Sequence, residues 1–160
     1  MTKALSLYQL NTLVADVISN TMAHAYWVEA ELSEARESNG HCYMELIEKE
    51  EGGNVPIARA SAKCWRNVWS MIKPYFMRIT GQTIHAGMKV MLQVHAQFHP
   101  QYGFSWIVDD INPEFTMGDM MRKRQEIIRQ LKAEGVFDLQ HDLRLPMFTQ
   151  HIAVISSETA

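Results

Sequence analysis

The chain has little of what specialised chemistry usually needs. Two cysteines in 160 residues, Cys42 and Cys64, are too few for a disulfide scaffold and lack the spacing of a zinc site. There is no basic surplus: 15 Lys and Arg against 18 Asp and Glu give a formal net charge of -3. That balance argues against a protein that coats nucleic acid by bulk charge. It leaves room for a local basic and aromatic groove on an otherwise acidic surface. No apolar run approaches the roughly 20 residues that span a bilayer. Met1-Thr2-Lys3-Ala4 opens no apolar stretch of the kind a secretory signal carries. A cytoplasmic, reduced protein without a membrane partner is therefore expected. GxGxxG, P-loop and GxSxG motifs are all missing, and no cofactor is indicated.

What is present is ordinary for a globular domain, with 47% apolar and 21% charged residues. Ser6 precedes Leu7, Leu10, Leu13, Val14, Val17 and Ile18, which predicts an N-capped amphipathic helix. Tyr26 to Glu34 reads as a strand, and Arg36-Glu37-Ser38-Asn39-Gly40 as a turn. From His41 to Glu48 the period is two, with Cys42, Met44 and Leu46 on one face and His41, Tyr43 and Glu45 on the other. Glu50 to Asn54 predicts a hairpin loop. Ile57 to Trp65 alternates again, its small face (Ala58, Ala60, Ala62, Cys64) suiting a tightly curved sheet. Helical spacing returns at Val68, Met71, Ile72, Tyr75 and Phe76, with Pro74 expected to kink or end a turn. Lys89 to His99 and Phe104 to Ile111 predict two more strands, closed by Asn112-Pro113.

Helix, three strands, helix, two strands is the layout of an OB-fold, a five-stranded Greek-key barrel. The fold class expected is mainly β with flanking helices, with an N-terminal helix and a C-terminal connector helix. We divide the chain into a barrel domain with its N-terminal helix over residues 1–118 and a connector helix and linker over residues 119–150. Residues 151–160 would then begin a further domain. The connector helix runs from Asp119 to Glu134, and the apolar run Ile152-Ala153-Val154-Ile155 reads as a buried strand. A lone buried strand needs partners, so the expectation is that the chain is the front of a longer protein.

OB-folds take oligonucleotides on the face of strands 2 and 3, between the loops joining strands 1–2 and 4–5. Here that surface would carry Arg36 in the first loop, His41 and Tyr43 on strand 2, and Arg59, Lys63 and Trp65 on strand 3. Arg66 lies just beyond. His99, Gln101 and Tyr102 would come from the second loop. Rings with interleaved cations suit single strands, because rings stack on bases while cations track phosphates. Each residue also has a plainer reading. Trp65 could cap the barrel, Arg59 and Lys63 could solubilise a face, and His41 could be a turn residue. Trp27 and Trp106 read as core or edge packing, and the cysteines as small core residues. His95, His99 and Asp109 are a weak candidate metal set, since a spacing of four on a strand gathers no ligands.

Three blocks then resemble one family. Trp27 to Ser33 with Gly40 to Leu46 is similar to the strand 1 to strand 2 signature of the exodeoxyribonuclease VII large subunit. Ala62 to Asn67 resembles its strand 3 ending. Leu131 to Asp138, Leu145-Pro146 and Ile152 to Ser157 resemble its junction into a nuclease domain. The resemblance implies an OB-fold that binds single-stranded DNA, followed by a nuclease domain that cuts single strands from either end to short oligonucleotides. That family needs no strict divalent metal, and its helical C-terminal region carries a small subunit as partner. This chain would hold the binding domain and the linker; no residue in it is catalytic on this reading, and alone it would be inactive. Gln101 stands where the family often has Arg, and Met44 where it usually has a second aromatic. Two other readings stay open: an RNA-binding OB module, and a structural docking module without nucleic-acid binding of its own.

Overall fold

The computed structural model describes residues 4–50, 53, 55–142, 147–148 and 152–156. In chain order the elements are α1 (Leu7–Thr21), β1 (Tyr26–Ser38), β2 (His41–Lys49), β3 (Pro56–Cys64) and α2 (Arg66–Thr80). They are followed by β4 (Lys89–His99), β5 (Gly103–Ile111), α3 (Pro113–Ala133) and α4 (Leu139–Asp142). The five strands close into a barrel in the order β1-β2-β3-β5-β4, as the strand count predicts. The chain divides into two compact units, residues 1–120 and 121–160.

Strand β1 makes the closure possible by serving two neighbours. Its first half pairs with β4, from Tyr26 opposite Val94 to Glu31 opposite Lys89. Its second half pairs with β2, from Glu31 opposite Ile47 to Ser38 opposite His41. A register shift between Leu32 and Glu34 marks a bulge, which bends a strand and raises its local twist. The expected turn over residues 36–40 shrinks to Asn39 and Gly40. Their φ angles of 52° and 80° match the two-residue turn that Asn-Gly favours. Arg36 is therefore a strand residue opposite Tyr43, not a loop residue.

The barrel interior is a continuous core. Leu32, Val90, Leu92, Val94 and Val108 are buried within it beside Cys42, Met44, Ala62 and Cys64. Fully burying one such aliphatic side chain contributes about 1.5–3 kcal/mol. Helix α2 packs against β2 and β5 and contributes Trp69, Ile72 and Phe76. The sequence spacing suggested Met71 and Tyr75 for that face; both are exposed. Pro74 lies inside α2, which runs on to Thr80 and ends at left-handed Gly81. Proline removes one helical N–H, but the buried face on either side of it holds the helix to the core.

Two helix starts follow capping chemistry. Ser6 and Gln9 form a reciprocal capping box at α1. Asn112 accepts the Phe115 N–H at 3.2 Å and Pro113 takes the first helical position, where its missing N–H is harmless. Helix α3 accordingly begins at Pro113, six residues before the expected Asp119. The α1 stripe is wider than the face it covers. Asn11, Val14, Ala15 and Ile18 are partly covered, while Leu7, Leu10, Leu13 and Val17 remain exposed.

Ile152 to Ile155 is a correction. Residues 152–156 have no regular structure, and Ile155 is 100% exposed. A strand is stable only with a neighbour to pair with, and none lies beside it among the described residues. The expected hairpin-loop residues 51, 52 and 54, and Leu145-Pro146, lie outside the described residues.

Among the described glycines, Gly40 tolerates a side chain least. Its φ is positive, and an added Cβ would lie 2.8 Å from Arg66 Nε. Gly40→Ala should cost about 1–2 kcal/mol from the left-handed backbone alone, with Arg66 displaced. Urea denaturation of the two proteins measures this, and equal midpoints would contradict it.

Candidate nucleic-acid interface

Alternation on β2 and β3 builds one outward face. Tyr43 stands opposite Lys63, Glu45 opposite Ser61 and Ile47 opposite Arg59, while β1 sets Arg36 on the other side of Tyr43. Arg36, Tyr43 and Lys63 thus form one row across three strands. Side chains directly opposite lie close enough to act on a common ligand.

The β1–β2 turn ends this face in a tied cluster. The Arg66 backbone N–H donates to His41 Nδ1 at 3.0 Å. That bond leaves the ring proton of neutral His41 on Nε2. The Arg66 guanidinium donates to the Asn39 carbonyl from Nε at 3.0 Å and also from a terminal nitrogen. Trp65 meets the His41 ring edge-on at 5.2 Å, and Tyr43 approaches it at 6.5 Å. Trp65 is 37% exposed at the residue preceding α2, so it does not cap the interior. Six expected residues are brought together here: Arg36, His41, Tyr43, Lys63, Trp65 and Arg66.

Arg59 lies on the same face but faces an acid. It donates to Glu45 at 3.2 Å, and Glu45 also accepts the Ser33 hydroxyl at 2.7 Å. Ser33 is the bulged residue of β1, so the bulge that bends the strand also places this hydroxyl.

The β4–β5 turn carries a separate group. His99 and Tyr102 stack at 4.7 Å and 28°, the Gln101 N–H donates to His99 Nδ1 at 3.2 Å, and Tyr102 is 69% exposed. Asn11 of α1 donates to the Pro100 carbonyl at 2.7 Å, so the first helix braces this turn. Among the described residues no hydrogen bond, ion pair or ring contact joins His99, Gln101 or Tyr102 to the β2–β3 cluster.

The remaining chemistry is quiet. Burial pushes the Cys42 thiol up to about 11 and the Cys64 thiol to about 12, which keeps both protonated and unreactive at neutral pH. His95 Nδ1 and Asp109 are 2.6 Å apart, a pair rather than a trio, and His99 stacks on Tyr102 instead. Among the described residues no group of three or more His, Cys, Asp or Glu is placed to hold a metal. No described helix is long and apolar enough to cross a membrane. Trp106 packs against the core, as expected, whereas Trp27 is half exposed.

The closed five-stranded barrel agrees with what comparison with known proteins finds. Residues 5–112 match the family described as OB-fold nucleic acid binding domain. The chain belongs to that family. Over nearly its whole length, this OB-fold chain is also similar to proteins named exodeoxyribonuclease 7 large subunit. The protein from Deinococcus radiodurans is 36% identical over 161 residues, 98% of this chain and 38% of that protein. The relative from Stenotrophomonas maltophilia is 32% identical, covering 94% and 31%. The one from Xylella fastidiosa is 31% identical, covering 93% and 30%. The chain therefore spans about a third of the length of these relatives.

Sequence reasoning missed two parts of the OB-fold surface. The alternation marks Glu45 only as an outward residue, and the signal for its partner is Arg59 opposite Ile47, the next position on the same face. Lys73 of α2 reaches across to Glu37 of β1 at 2.5 Å, a pairing of distant positions that no local pattern announces. The Lys73 ammonium holds the Glu37 carboxyl below its ordinary range. A carboxylate with a depressed folded-state pKa contributes stability above its unfolded pKa and loses it as pH falls through the folded one. Glu37→Gln should therefore lower Tm at pH 7 and narrow its deficit as pH falls through the acid range. A deficit that stays constant with pH would show that the pair contributes nothing through ionisation.

Proposed function

We propose that this chain binds single-stranded DNA on the outward face of β2 and β3. In this reading it serves as the recognition domain of an exodeoxyribonuclease VII large subunit in the cytoplasm. One observation carries the reading: Tyr43 lies between Arg36 and Lys63 in a single cross-strand row, with His41 and Trp65 rings beside it. A base stacks on a half-buried ring while flanking cations meet its phosphates, which is what sequence-tolerant single-strand binding needs. Arg59, Arg66, His99, Gln101 and Tyr102 extend the contact at the ends of the face. The similarity to proteins named exodeoxyribonuclease 7 large subunit supports DNA as the substrate, and the activity we propose for the whole enzyme is hydrolysis of single strands from both ends. It also supports a small subunit as partner, held by a part of the enzyme other than this chain. The chain alone cuts nothing in this reading. One module on a net-acidic chain should bind weakly, because avidity across several modules is lacking.

The test is fluorescence anisotropy with oligo-dT of about 20 nucleotides at low salt. Tyr43→Ala should weaken binding by roughly 5- to 150-fold, the range of one lost stacked base at about 1–3 kcal/mol. Lys63→Ala should flatten the salt dependence by about 0.7 in log–log slope, one phosphate contact on a single strand. Binding that neither change affects would move the function to docking. A clear preference for RNA of the same sequence would mark a 2′-hydroxyl reader instead. Loss of the oligonucleotide during incubation with the pure chain would overturn its inactivity.

A further inference from the structure

The barrel is closed by α2 near the Cys64 end of β3 but stays open at the other end. There a cavity of about 170 Å³ enters the interior. Its walls are Val28, Leu46, Ala60, Val94 and Trp106, so it is lined almost wholly by carbon. The small side chains of β3 leave the space: Ala58 and Ala60 sit where a larger residue would fill it. Its mouth adjoins the face described above, because Ile47 and Arg59, an opposed pair on that face, also border the cavity.

Two features narrow what could enter. The first is size. An apolar cavity of about 150 Å³ holds one benzene ring; a cavity of this volume takes one six-membered ring and is small for a fused purine. The second is charge. Glu29 and Glu48 stand at the rim with Arg59, and Glu29 is paired with Lys89 at 3.7 Å, so the rim has no basic surplus to draw a phosphate in and the carbon walls favour an uncharged ring. Glu48 can accept a hydrogen bond from a ring N–H or exocyclic amine, and the Arg59 guanidinium can meet the phosphate left outside.

We propose that the open mouth of the barrel is a pocket for one pyrimidine base of a single strand lying across β2 and β3. The inference rests on the single-stranded DNA reading above and adds a subsite to it. The strand crosses the face with its bases over Tyr43, and one base turns inward past Arg59 to lie against Trp106. Such a pocket gives the module a preference for pyrimidine tracts.

The test compares the affinities of oligo-dT and oligo-dA of equal length for the whole 160-residue chain, its Val28→Phe variant and its Ala60→Leu variant. Both substitutions put carbon into the cavity. Val28 is a part-exposed wall residue, so Val28→Phe spares the core if Ala60→Leu impairs folding, and circular dichroism checks both. The wild type should prefer oligo-dT by about fivefold or more, the low end for one stacked base. In the filled variants oligo-dT affinity should fall towards that of oligo-dA. A part of the preference arises in the strand itself, since dA stacks on its neighbours, and that part survives in every variant. An unmoved dT-to-dA ratio in folded Val28→Phe would overturn the pocket while leaving the β2–β3 reading intact, provided binding still depends on Tyr43 and Lys63. Absence of a dT preference in the wild type would overturn the pocket as well. Failure of both strands to bind would overturn the pocket and the single-stranded DNA reading together.

Discussion

The structure depends on a parallel seam only two register pairs long. Ala62 opposite Trp106 and Lys63 opposite Ile107 are where β3 meets β5 and the sheet becomes a barrel. A closed barrel has no free edge, so this short contact removes an edge that would otherwise pair with another chain. The seam exists because β3 presents Ala58, Ala60, Ala62 and Cys64 inward. Larger side chains there would hold the strands apart. The same economy has a consequence at each end. At the Cys64 end the space is filled from outside by Trp69, Ile72 and Phe76 of α2. At the Ala58 end nothing among the described residues fills it, and Trp106 stands in a half-open mouth. Interior close packing and an open pocket thus come from the same small residues.

Bending β1 solves the companion problem of reach. One strand pairs with β4 and then with β2, and the bulge at Ser33 is where it changes partner. Bulges both increase twist and redirect a side chain. Here the redirected hydroxyl holds the Glu45 carboxylate in the middle of the outward face. Curvature and site geometry are therefore not independent, since straightening β1 would release both.

Much of this was legible in the residues, and the failures have physical causes. Period two on β2, β3 and β4 gave the right inward and outward faces because the inward side of each strand carries most of its buried residues. Tyr43 and Lys63 fall on the outward surface for that reason. Arg36 was placed in a loop because polar residues look like turn residues; in fact backbone pairing continues to Ser38, and only Asn39 and Gly40 have the positive φ a turn demands. The start of α3 was set six residues late because Asn112-Pro113 was read as the end of a strand, when asparagine followed by proline also caps a helix. Ile152 to Ile155 has the composition of a buried strand, but pairing is a property of neighbours that composition does not supply. The tie between Arg66 and Asn39, and that between Lys73 and Glu37, join positions 27 and 36 apart. Contacts of that kind leave no periodic trace.

The arrangement of charge on the outward face bears on how a single strand would lie there. Its basic residues stand at the margins: Arg36 and Lys63 flank Tyr43, Arg66 is tied to the β1–β2 turn, and Arg59 stands at the cavity. Glu45 occupies the centre, partly offset by Arg59 at 3.2 Å. An exposed ion pair of this kind contributes little to stability, so its larger effect is on the local field. A carboxylate there disfavours a phosphate over the middle of the face and leaves that region to bases. On the proposed reading the backbone would then lie at the margins and bases would stack on Tyr43 and His41. Affinity from phosphates would then be low, in keeping with a chain of net charge -3, and discrimination would fall to what the rings and the barrel mouth accept. An acid among the cations would cost such a ligand binding strength while setting which part of it faces the protein.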